Sequence, residues 1–119
     1  AHIRNPAQSM KEWCRVLKPG GVMLITDYHP AALAKGARRT FSHNHQTIAI
    51  RNYIHSIEKL NKIARQLGLK QVRFIERKID ETVKSYYDKQ QAIALYEDFY
   101  GTPIIYGLLL IKSDAGSPC

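Results

Sequence analysis

The chain has 119 residues, which is the size of a single domain. Apolar residues make up 45% of it, enough for a hydrophobic core and too many for a disordered tail. Lys and Arg total 18 against 10 Asp and Glu, a formal net charge of +8. No apolar run approaches the roughly 20 residues of a membrane-spanning helix, and no basic segment followed by an apolar one marks a secretory signal.

The positive charge has two interpretations. A basic face would make the chain a self-associating module that binds RNA or another polyanion. The alternative is a surplus of cations scattered over solvated surfaces. Basic residues extend from Arg4 to Lys112, are locally dense only at 38–39 and 77–78, and never form a run of five. This distribution favours the scattered surplus, and we expect neither a nucleic acid nor a membrane as partner.

Two cysteines are too few for a disulfide framework. Cys14 falls on the apolar face of a predicted helix, which favours a buried, reduced thiol. Cys119 ends the chain, where we expect mobility. Reduced thiols are typical of a reducing compartment, so the sequence predicts a cytoplasmic protein.

The first predicted element is a helix. Asn5 is a suitable N-cap and Pro6 suits the first helical position. The segment Lys18-Pro19-Gly20-Gly21 ends the helix, because proline cannot continue it and glycine accepts a left-handed turn. Apolar side chains recur on one face at intervals of three and four: Met10, Trp13, Cys14 and Leu17.

A continuous apolar run, Val22 to Thr26, predicts a strand buried on both faces, as in a parallel α/β sheet. Polar residues end this strand, and 31–36 predicts a short helix or loop. The segment 39–55 predicts a β-hairpin, with strands at 40–41 and 47–53 and a turn at 42–45.

Helices and strands alternate in the second half of the chain. Ser56 is an N-cap with Glu58 favourably placed in the first turn, and Gly68 ends that helix. The alternation predicts a layered α/β domain over 1–112. The remaining predicted elements are a strand at 69–75, a helix at 88–99 ended by Gly101, a strand at 104–112 and a flexible tail at 113–119.

The segment Arg15 to Gly21 reads RVLKPGG and precedes an apolar strand that ends in Asp27. By itself, this string predicts only a helix, a tight stop and a buried strand. With its flanks it resembles class I S-adenosylmethionine-dependent methyltransferases, especially the ubiquinone-biosynthesis-type, or type 11-like, subfamily. The residues that match are His2 to Pro6, Glu12 to Gly21, and Val22 to Asp27. The resemblance implies a helix between the fourth and fifth strands of the family, then the turn, then the fifth strand.

The resemblance continues to Lys112. It implies a Rossmann-like methyltransferase sheet, of which this chain supplies about three strands, their helices and an inserted hairpin. Residues 29–30, 39–41 and 53–56 are similar to a subgroup that carries this hairpin after the fifth strand, and 57–69 and 101–112 to the later helix and strand.

The chain departs from the family at its beginning. The family starts with a strand and a glycine-rich loop that holds the cofactor, and no Gly-x-Gly occurs in this sequence. The chain therefore resembles the C-terminal half of a methyltransferase, and because it begins with Ala1 we expect that a residue or a longer segment was removed. The edge of the strand at 22–26 would then be bare. We expect a homodimer or association with the missing N-terminal half.

The function implied by the resemblance is transfer of a methyl group from S-adenosyl-L-methionine to a small-molecule acceptor. The enzyme would be a longer or reconstituted one. We expect the isolated chain to be inactive and not to bind the cofactor by itself.

The resemblance also implies site residues, because the C-terminal ends of the strands frame the active site, as in other open α/β sheets. Methyl transfer mainly needs alignment of donor and acceptor, and sometimes removal of a proton. The implied catalytic residues are Asp27 and His29, the acceptor-binding residues are Tyr28, Arg39, Tyr53 and His55, and the cofactor-binding residue is His2.

Structural roles remain open for three of these residues. Asp27 could only cap the following turn, and His29, which precedes a proline, could be held by backbone hydrogen bonds. His55 could belong to a helix N-terminus. A metal site at His43 and His45 is less favoured than an exposed turn, because no carboxylate or cysteine lies nearby in the sequence.

Aromatic residues are frequent in the last third of the chain and could stack a ring-bearing substrate or nucleic-acid bases. They are Tyr86, Tyr87, Tyr96, Phe99, Tyr100 and Tyr106. Tyr96 and Phe99 have helical spacing and are predicted to lie in the core. Tyr86 and Tyr87 fall in the least regular segment and could line a pocket.

Overall fold

The computed structural model describes residues 1–114 and 119. The chain forms a three-stranded antiparallel sheet with helices packed on one face, and a separate β-hairpin. The helices are α1 (Pro6–Val16), α2 (Pro30–Ala34), α3 (Ile57–Gln66), α4 (Lys84–Lys89) and α5 (Ile93–Phe99). The strands are β1 (Val22–Tyr28), β2 (Thr40–His43), β3 (Gln46–Ala49), β4 (Leu69–Lys78) and β5 (Pro103–Lys112).

The main sheet has the order β1-β5-β4, and both strand pairs are antiparallel. The apolar run of β1 suggested a parallel sheet, whereas its pairing within this chain is antiparallel. In the described part of the chain β1 pairs only with β5, so its other edge is free, as predicted.

The strand β1 is buried on one face only, which also corrects the sequence prediction. Met23 is buried against the helices, whereas Val22 is 57% exposed and Leu24 is 67% exposed on the opposite side. A continuous apolar run does not reveal whether a second layer covers the strand, because that layer is not part of the run. We call the uncovered side the open face.

The main core lies between the sheet and the helices α1 and α3. Helix α1 begins as predicted, with Asn5 Oδ1 accepting a hydrogen bond of 3.2 Å from the Gln8 N–H and Pro6 at the first position. Trp13 lies exposed at the border of this core rather than inside it. The buried core residues include Met10, Cys14, Met23, Leu60, Ile63, Leu108 and Leu110.

A buried lysine connects the sheet to α1. The Lys112 ammonium donates to the carbonyl oxygens of Cys14 at 2.7 Å and Leu17 at 2.9 Å. Both carbonyls lie at the C-terminal end of α1, where the Cys14 carbonyl also accepts a hydrogen bond of 3.2 Å from the Leu17 N–H. A cation suits this negative end of the helix dipole. The lysine therefore fixes the end of α1 against the last residue of β5.

The inserted hairpin is confirmed, with shorter strands than predicted. Ser42 and His43 pair with Thr47 and Gln46, so they belong to β2 and not to the turn. The turn consists of Asn44 and His45, whose φ angles are 50° and 62°. Two consecutive positive φ angles match the two-residue turn that suits a twisted hairpin. All eight strand residues are exposed.

The helix predicted at 88–99 is two helices, α4 and α5. Gln91 has a φ of 55° between them, a left-handed conformation that interrupts the α-helical path. A second core lies against α5, and the prediction that Tyr96 and Phe99 are core residues is confirmed. The buried residues of this second core are Ala32, Ile79, Tyr96 and Phe99.

The cysteines differ from the expectation of a reduced thiol. Cys14 is buried, as predicted, but a disulfide joins it to Cys119, with the Cα atoms 5.6 Å apart. In the predicted tail, Ser113 Oγ donates to the Gly68 carbonyl at 2.8 Å, and 115–118 lie outside the described residues. None of the described helices is long and apolar enough to cross a membrane.

Candidate functional site

The polar residues at the C-terminal end of β1 form the centre of the candidate site. Strand pairing sets Asp27 opposite Tyr106 of β5, and Tyr106 opposite Glu76 of β4. Because paired residues point to the same face of a sheet, these three residues form one row across it. Tyr106 is buried in the middle of the row.

Asp27 has three partners. Its Oδ1 accepts a hydrogen bond of 2.8 Å from the Tyr28 N–H and lies 3.7 Å from Nη2 of Arg39. Its Oδ2 contacts the amino group of Ala1. The carboxylate therefore does more than cap the following turn, because it pairs with a cation from the segment that leads into the hairpin.

Arg39 brings several of the predicted residues together. Its guanidinium lies over the ring of Tyr28, 4.4 Å from the ring centre, which is a cation–π contact. Its Nη1 is 2.6 Å from Nε2 of His2, and because a guanidinium only donates, the imidazole nitrogen accepts. Four predicted site residues, His2, Asp27, Tyr28 and Arg39, therefore form one cluster.

Tyr53 and His55 contact the beginning of the chain and not Asp27. The Tyr53 N–H donates to the Ala1 carbonyl at 2.7 Å, and Nε2 of His55 lies 2.6 Å from the Ile3 carbonyl oxygen. The ring of Tyr53 lies beside Arg51, 5.2 Å from its guanidinium carbon. Both residues hold the first three residues of the chain next to the cluster.

His29 caps α2 with its ring. Its Nδ1 accepts a hydrogen bond of 3.0 Å from the Ala31 N–H, so a neutral ring carries its proton on Nε2. That Nε2 is buried, 3.5 Å from Oε1 of Glu76, and the ring stands edge-on to Tyr106 at 6.1 Å. Nδ1, the nitrogen that a general base would use, already accepts the Ala31 N–H. His29 is therefore arranged to position its neighbours.

The sequence did not point to Glu76 as a site residue, and it suggested Tyr106 only as one of several aromatic residues that could stack a ring. Only the pairing of β4 with β5 and of β5 with β1 places both in one row with Asp27. Burial raises the pKa of Tyr106 to about 12, and the Asp27 carboxylate adds to this rise. The phenol therefore stays neutral at physiological pH and can donate a hydrogen bond.

Two recesses meet at Tyr28. The first, which we call the strand-end recess, has a volume of about 450 Å³ and a mainly apolar lining. The residues that line it include Leu24, Asp27, Tyr28, Arg39, Ile75, Arg77 and Ile105. The second has a volume of about 360 Å³ and lies between α5 and the segment 36–38, which follows α2. Both volumes are within the range of small-molecule sites.

His43 and His45 lie at the exposed tip of the hairpin, away from this cluster. Among the described residues, no three His, Cys, Asp or Glu side chains are grouped as metal ligands.

Comparison with solved structures places the fold. The chain is similar to a structure from Galdieria sulphuraria whose proposed activity is that of a sarcosine dimethylglycine methyltransferase, with a TM-score of 0.56 and 22% identity. The match covers 95% of this chain and 49% of that one. No protein-family model matches the chain, and no curated protein matches it.

This likeness shows the fold. The chain has a mixed α/β arrangement with a small antiparallel sheet, and it spans about half the length of that structure.

Proposed function

We propose that this chain is the acceptor-side, C-terminal part of a class I methyltransferase of the type 11-like group, which methylates a small molecule. The observation that carries the proposal is the cluster of Asp27, Tyr28 and Arg39 at the C-terminal end of β1. In open α/β sheets, ligands bind outside the carboxyl ends of the strands. The structural likeness supports the fold, and the cluster supports the location of the acceptor.

The described residues do not fit the whole cofactor. S-adenosyl-L-methionine, which would supply the methyl group, needs a cradle for its methionine part, and the sequence has no Gly-x-Gly turn to form one. His2, the expected cofactor-binding residue, is at the rim, where it accepts a hydrogen bond from Arg39. We therefore derive no step through the cofactor and assign to this chain the acceptor side alone.

The cluster suits three tasks on the acceptor side. Arg39 can fix a polar group of the acceptor while it remains paired with Asp27, and the ring of Tyr28 forms a wall of the recess. The Asp27 carboxylate can take the proton that an acceptor hydroxyl or amine releases. His29 acts through Glu76, which it faces with its Nε2 proton, and holds the start of α2 in place.

The chain has surfaces that a covering polypeptide would bury. The free edge of β1 presents unpaired backbone groups, and Val22 and Leu24 are exposed on the open face beside it. We propose that the missing N-terminal half of the enzyme, or a second copy of this chain, covers them. Such a polypeptide would also supply the cofactor contacts, so the isolated chain would be inactive.

The test uses the natural polypeptide that carries this sequence, isolated from its source cells with an antibody against this chain. Transfer of a tritiated methyl group from S-adenosylmethionine is measured with phenols, amines and carboxylic acids as acceptors. We expect transfer to at least one acceptor, and a fall of at least tenfold in kcat/KM for Asp27→Asn.

Glu58→Gln is the matched control, because it removes an exposed carboxylate on α3 without touching the cluster. It should leave kcat/KM unchanged. A preparation that transfers no methyl group to any of these acceptors, or an Asp27→Asn variant as active as the control, would contradict the proposal.

A further inference from the structure

A third recess lies at the base of the hairpin, and two arginines line it. It has a volume of about 360 Å³ and is bordered by the end of α2 and by the segment that follows β3. The arginines are Arg38, which comes just before the hairpin, and Arg51, which comes just after it. The other side chains that line it are apolar, apart from Asn52. We call this space the arginine recess.

The register of the hairpin sets the two arginines against each other. The pairing of β2 with β3 continues beyond the strands, where the Ile50 N–H donates to the Arg39 carbonyl at 2.8 Å. The next step in the same register sets Arg38 opposite Arg51. Like charges that lie directly opposite each other on antiparallel strands are destabilising. The base of the hairpin therefore carries a repulsion between two cations.

No carboxylate of the described residues offsets this repulsion. The segment 28–57 contains four Lys or Arg residues but no Asp or Glu. The ion pairs of the described residues involve neither Arg38 nor Arg51. The neighbouring Arg39, in contrast, pairs with Asp27 and lines the strand-end recess. The arginine recess thus has a positive charge that an anion from outside the described residues would balance.

Asn52 adds a polar atom without a donor to the same surroundings. Its Oδ1 is buried and accepts no hydrogen bond from the part of the chain that the structure describes. A buried acceptor without a donor costs free energy, and such atoms are uncommon in folded proteins. Asn52 lines the arginine recess, so a ligand with an O–H or N–H group would supply the missing donor.

The chemistry of these groups favours a phosphate monoester as the ligand. A guanidinium donates two parallel hydrogen bonds to phosphate or carboxylate oxygens. A carboxylate has one negative charge, which a single guanidinium balances. A phosphate monoester has close to two negative charges at neutral pH and three acceptor oxygens, so it can pair with two guanidinium groups at once. The apolar walls strengthen this attraction, because they keep the local dielectric low.

We propose that the arginine recess binds a small phosphate monoester that carries a hydroxyl group. The phosphate bridges Arg38 and Arg51, and the hydroxyl donates to Oδ1 of Asn52. The bound ligand removes the repulsion between the arginines and holds the base of the hairpin to the end of α2. This proposal does not depend on methyl transfer or on the cluster at Asp27.

The test measures binding of glycerol 3-phosphate to the 119-residue chain by NMR, with isotope-labelled arginine side chains. We expect saturable shifts of the Nε–H signals of Arg38 and Arg51, whereas the signal of Arg73 on β4 should not move. Ethyl phosphate, which has no hydroxyl group, should bind about fivefold more weakly. Dimethyl phosphate, a diester with one charge like those of nucleic acids and phospholipids, should bind at least about tenfold more weakly.

Variants of the lining residues identify the groups that bind. Arg38→Gln and Arg51→Gln should each weaken the binding of glycerol 3-phosphate at least about tenfold, because each removes one guanidinium. Both arginines are exposed, so these substitutions leave the core intact. Asn52→Ala should lower the affinity for glycerol 3-phosphate to that for ethyl phosphate. Arg73→Gln is the matched control, because it removes the same charge at an exposed position on β4, and it should leave the affinity unchanged.

The stability of the chain provides a second measurement. The repulsion between the arginines is present without a ligand, so Arg51→Gln should raise the urea midpoint of the free chain, whereas Arg73→Gln should not. Saturating glycerol 3-phosphate should raise the midpoint of the unchanged chain and of Arg73→Gln, because a ligand stabilises the state that it binds. It should not raise the midpoint of Arg51→Gln.

The proposal is overturned if glycerol 3-phosphate shifts neither arginine signal, or if Arg73→Gln weakens binding as much as Arg38→Gln and Arg51→Gln do. It is also overturned if ethyl phosphate or dimethyl phosphate binds as tightly as glycerol 3-phosphate, or if the ligand stabilises Arg51→Gln as much as the unchanged chain. No methyl donor is present in these measurements, so their outcome is independent of the proposed function.

Discussion

The guanidinium of Arg39 lies over the ring of Tyr28, 4.4 Å from its centre, and Nη2 of the same group is 3.7 Å from Oδ1 of Asp27. One planar cation thus holds an aromatic wall and a carboxylate at the end of β1. Arg39 precedes the hairpin by one residue, so the inserted segment is connected to the candidate site through this side chain.

Replacing Arg39 by Lys tests the importance of the planar group. An ammonium keeps the charge but cannot at once stack on Tyr28, form an ion pair with Asp27 and donate to His2. We expect kcat/KM of the natural polypeptide to fall about tenfold, which corresponds to ~1.4 kcal/mol. Arg65→Lys, at an exposed position on α3, should leave it unchanged. Equal kcat/KM values for Arg39→Lys and Arg65→Lys would show that catalysis does not depend on the stacking of Arg39 on Tyr28.

Tyr106 makes the stability of the chain sensitive to alkaline pH. Burial raises its pKa to about 12, whereas an unfolded tyrosine titrates near 10. The folded chain holds this proton more tightly, so the stabilisation is complete below pH ~10 and is lost as the pH rises towards about 12. Tyr100, whose pKa is raised to about 12 by its hydrogen bond to Glu81, acts in the same direction.

We therefore expect the free energy of unfolding in urea to fall between pH ~10 and ~11.5, and Tyr106→Phe to reduce this fall. Two pKa units set an upper limit of ~3 kcal/mol for the contribution of Tyr106. Tyr86→Phe is the control, because Tyr86 is largely exposed. If the free energy of unfolding falls as steeply with pH in the Tyr106→Phe variant as in the Tyr86→Phe variant, the result contradicts the raised pKa of Tyr106.

The disulfide between Cys14 and Cys119 predicts a mass about 2 Da below that of the reduced chain, because its formation removes two hydrogens. It closes a loop with a sequence separation of 105 residues, and the chain-entropy account gives a stabilisation of up to ~5 kcal/mol for loops of this size. Reduction, or Cys119→Ser, should lower the free energy of unfolding towards this limit. An unchanged urea midpoint after full reduction would contradict this.

The disulfide also bears on the proposed cytoplasmic location. Thiols are kept reduced in the cytosol, so a persistent Cys14–Cys119 bond would favour an oxidising compartment. Alkylation of intact source cells before lysis distinguishes the two. A cytoplasmic location predicts that both cysteines are alkylated in the protein recovered from these cells. Cysteines that are not alkylated and remain joined in a disulfide would contradict it.

Local signals in the sequence predicted the helix boundaries well. Asn5 and Ser56 cap the two helices of the main core as expected, and Gly68, with a φ of 73°, follows the second. Each of these features depends on hydrogen bonds within one turn, so the residues that decide them are adjacent in the sequence. Gln91 was missed because no glycine, asparagine or proline marks its left-handed conformation.

The layers of the fold and the geometry of the candidate site depend on contacts between residues that are far apart in the sequence. Nothing within the run at 22–26 shows that β1 pairs with β5, whose partner residues lie 77 to 89 positions later in the sequence, or that one face of β1 is open. The row of Asp27, Tyr106 and Glu76 exists only because three strands align in one register. The family resemblance placed Asp27, Tyr28 and Arg39 in one region, but not the helix-capping role of His29 or the cavity beside Tyr28.

The most direct test of the account is a calorimetric titration with S-adenosylhomocysteine of two samples, the isolated 119-residue chain and the natural polypeptide that carries it. The account predicts no heat from the isolated chain at millimolar ligand and stoichiometric, micromolar binding by the natural polypeptide. Micromolar binding by the isolated chain would contradict its assignment as the acceptor side alone. Failure of the natural polypeptide to bind would contradict methyl transfer as its function.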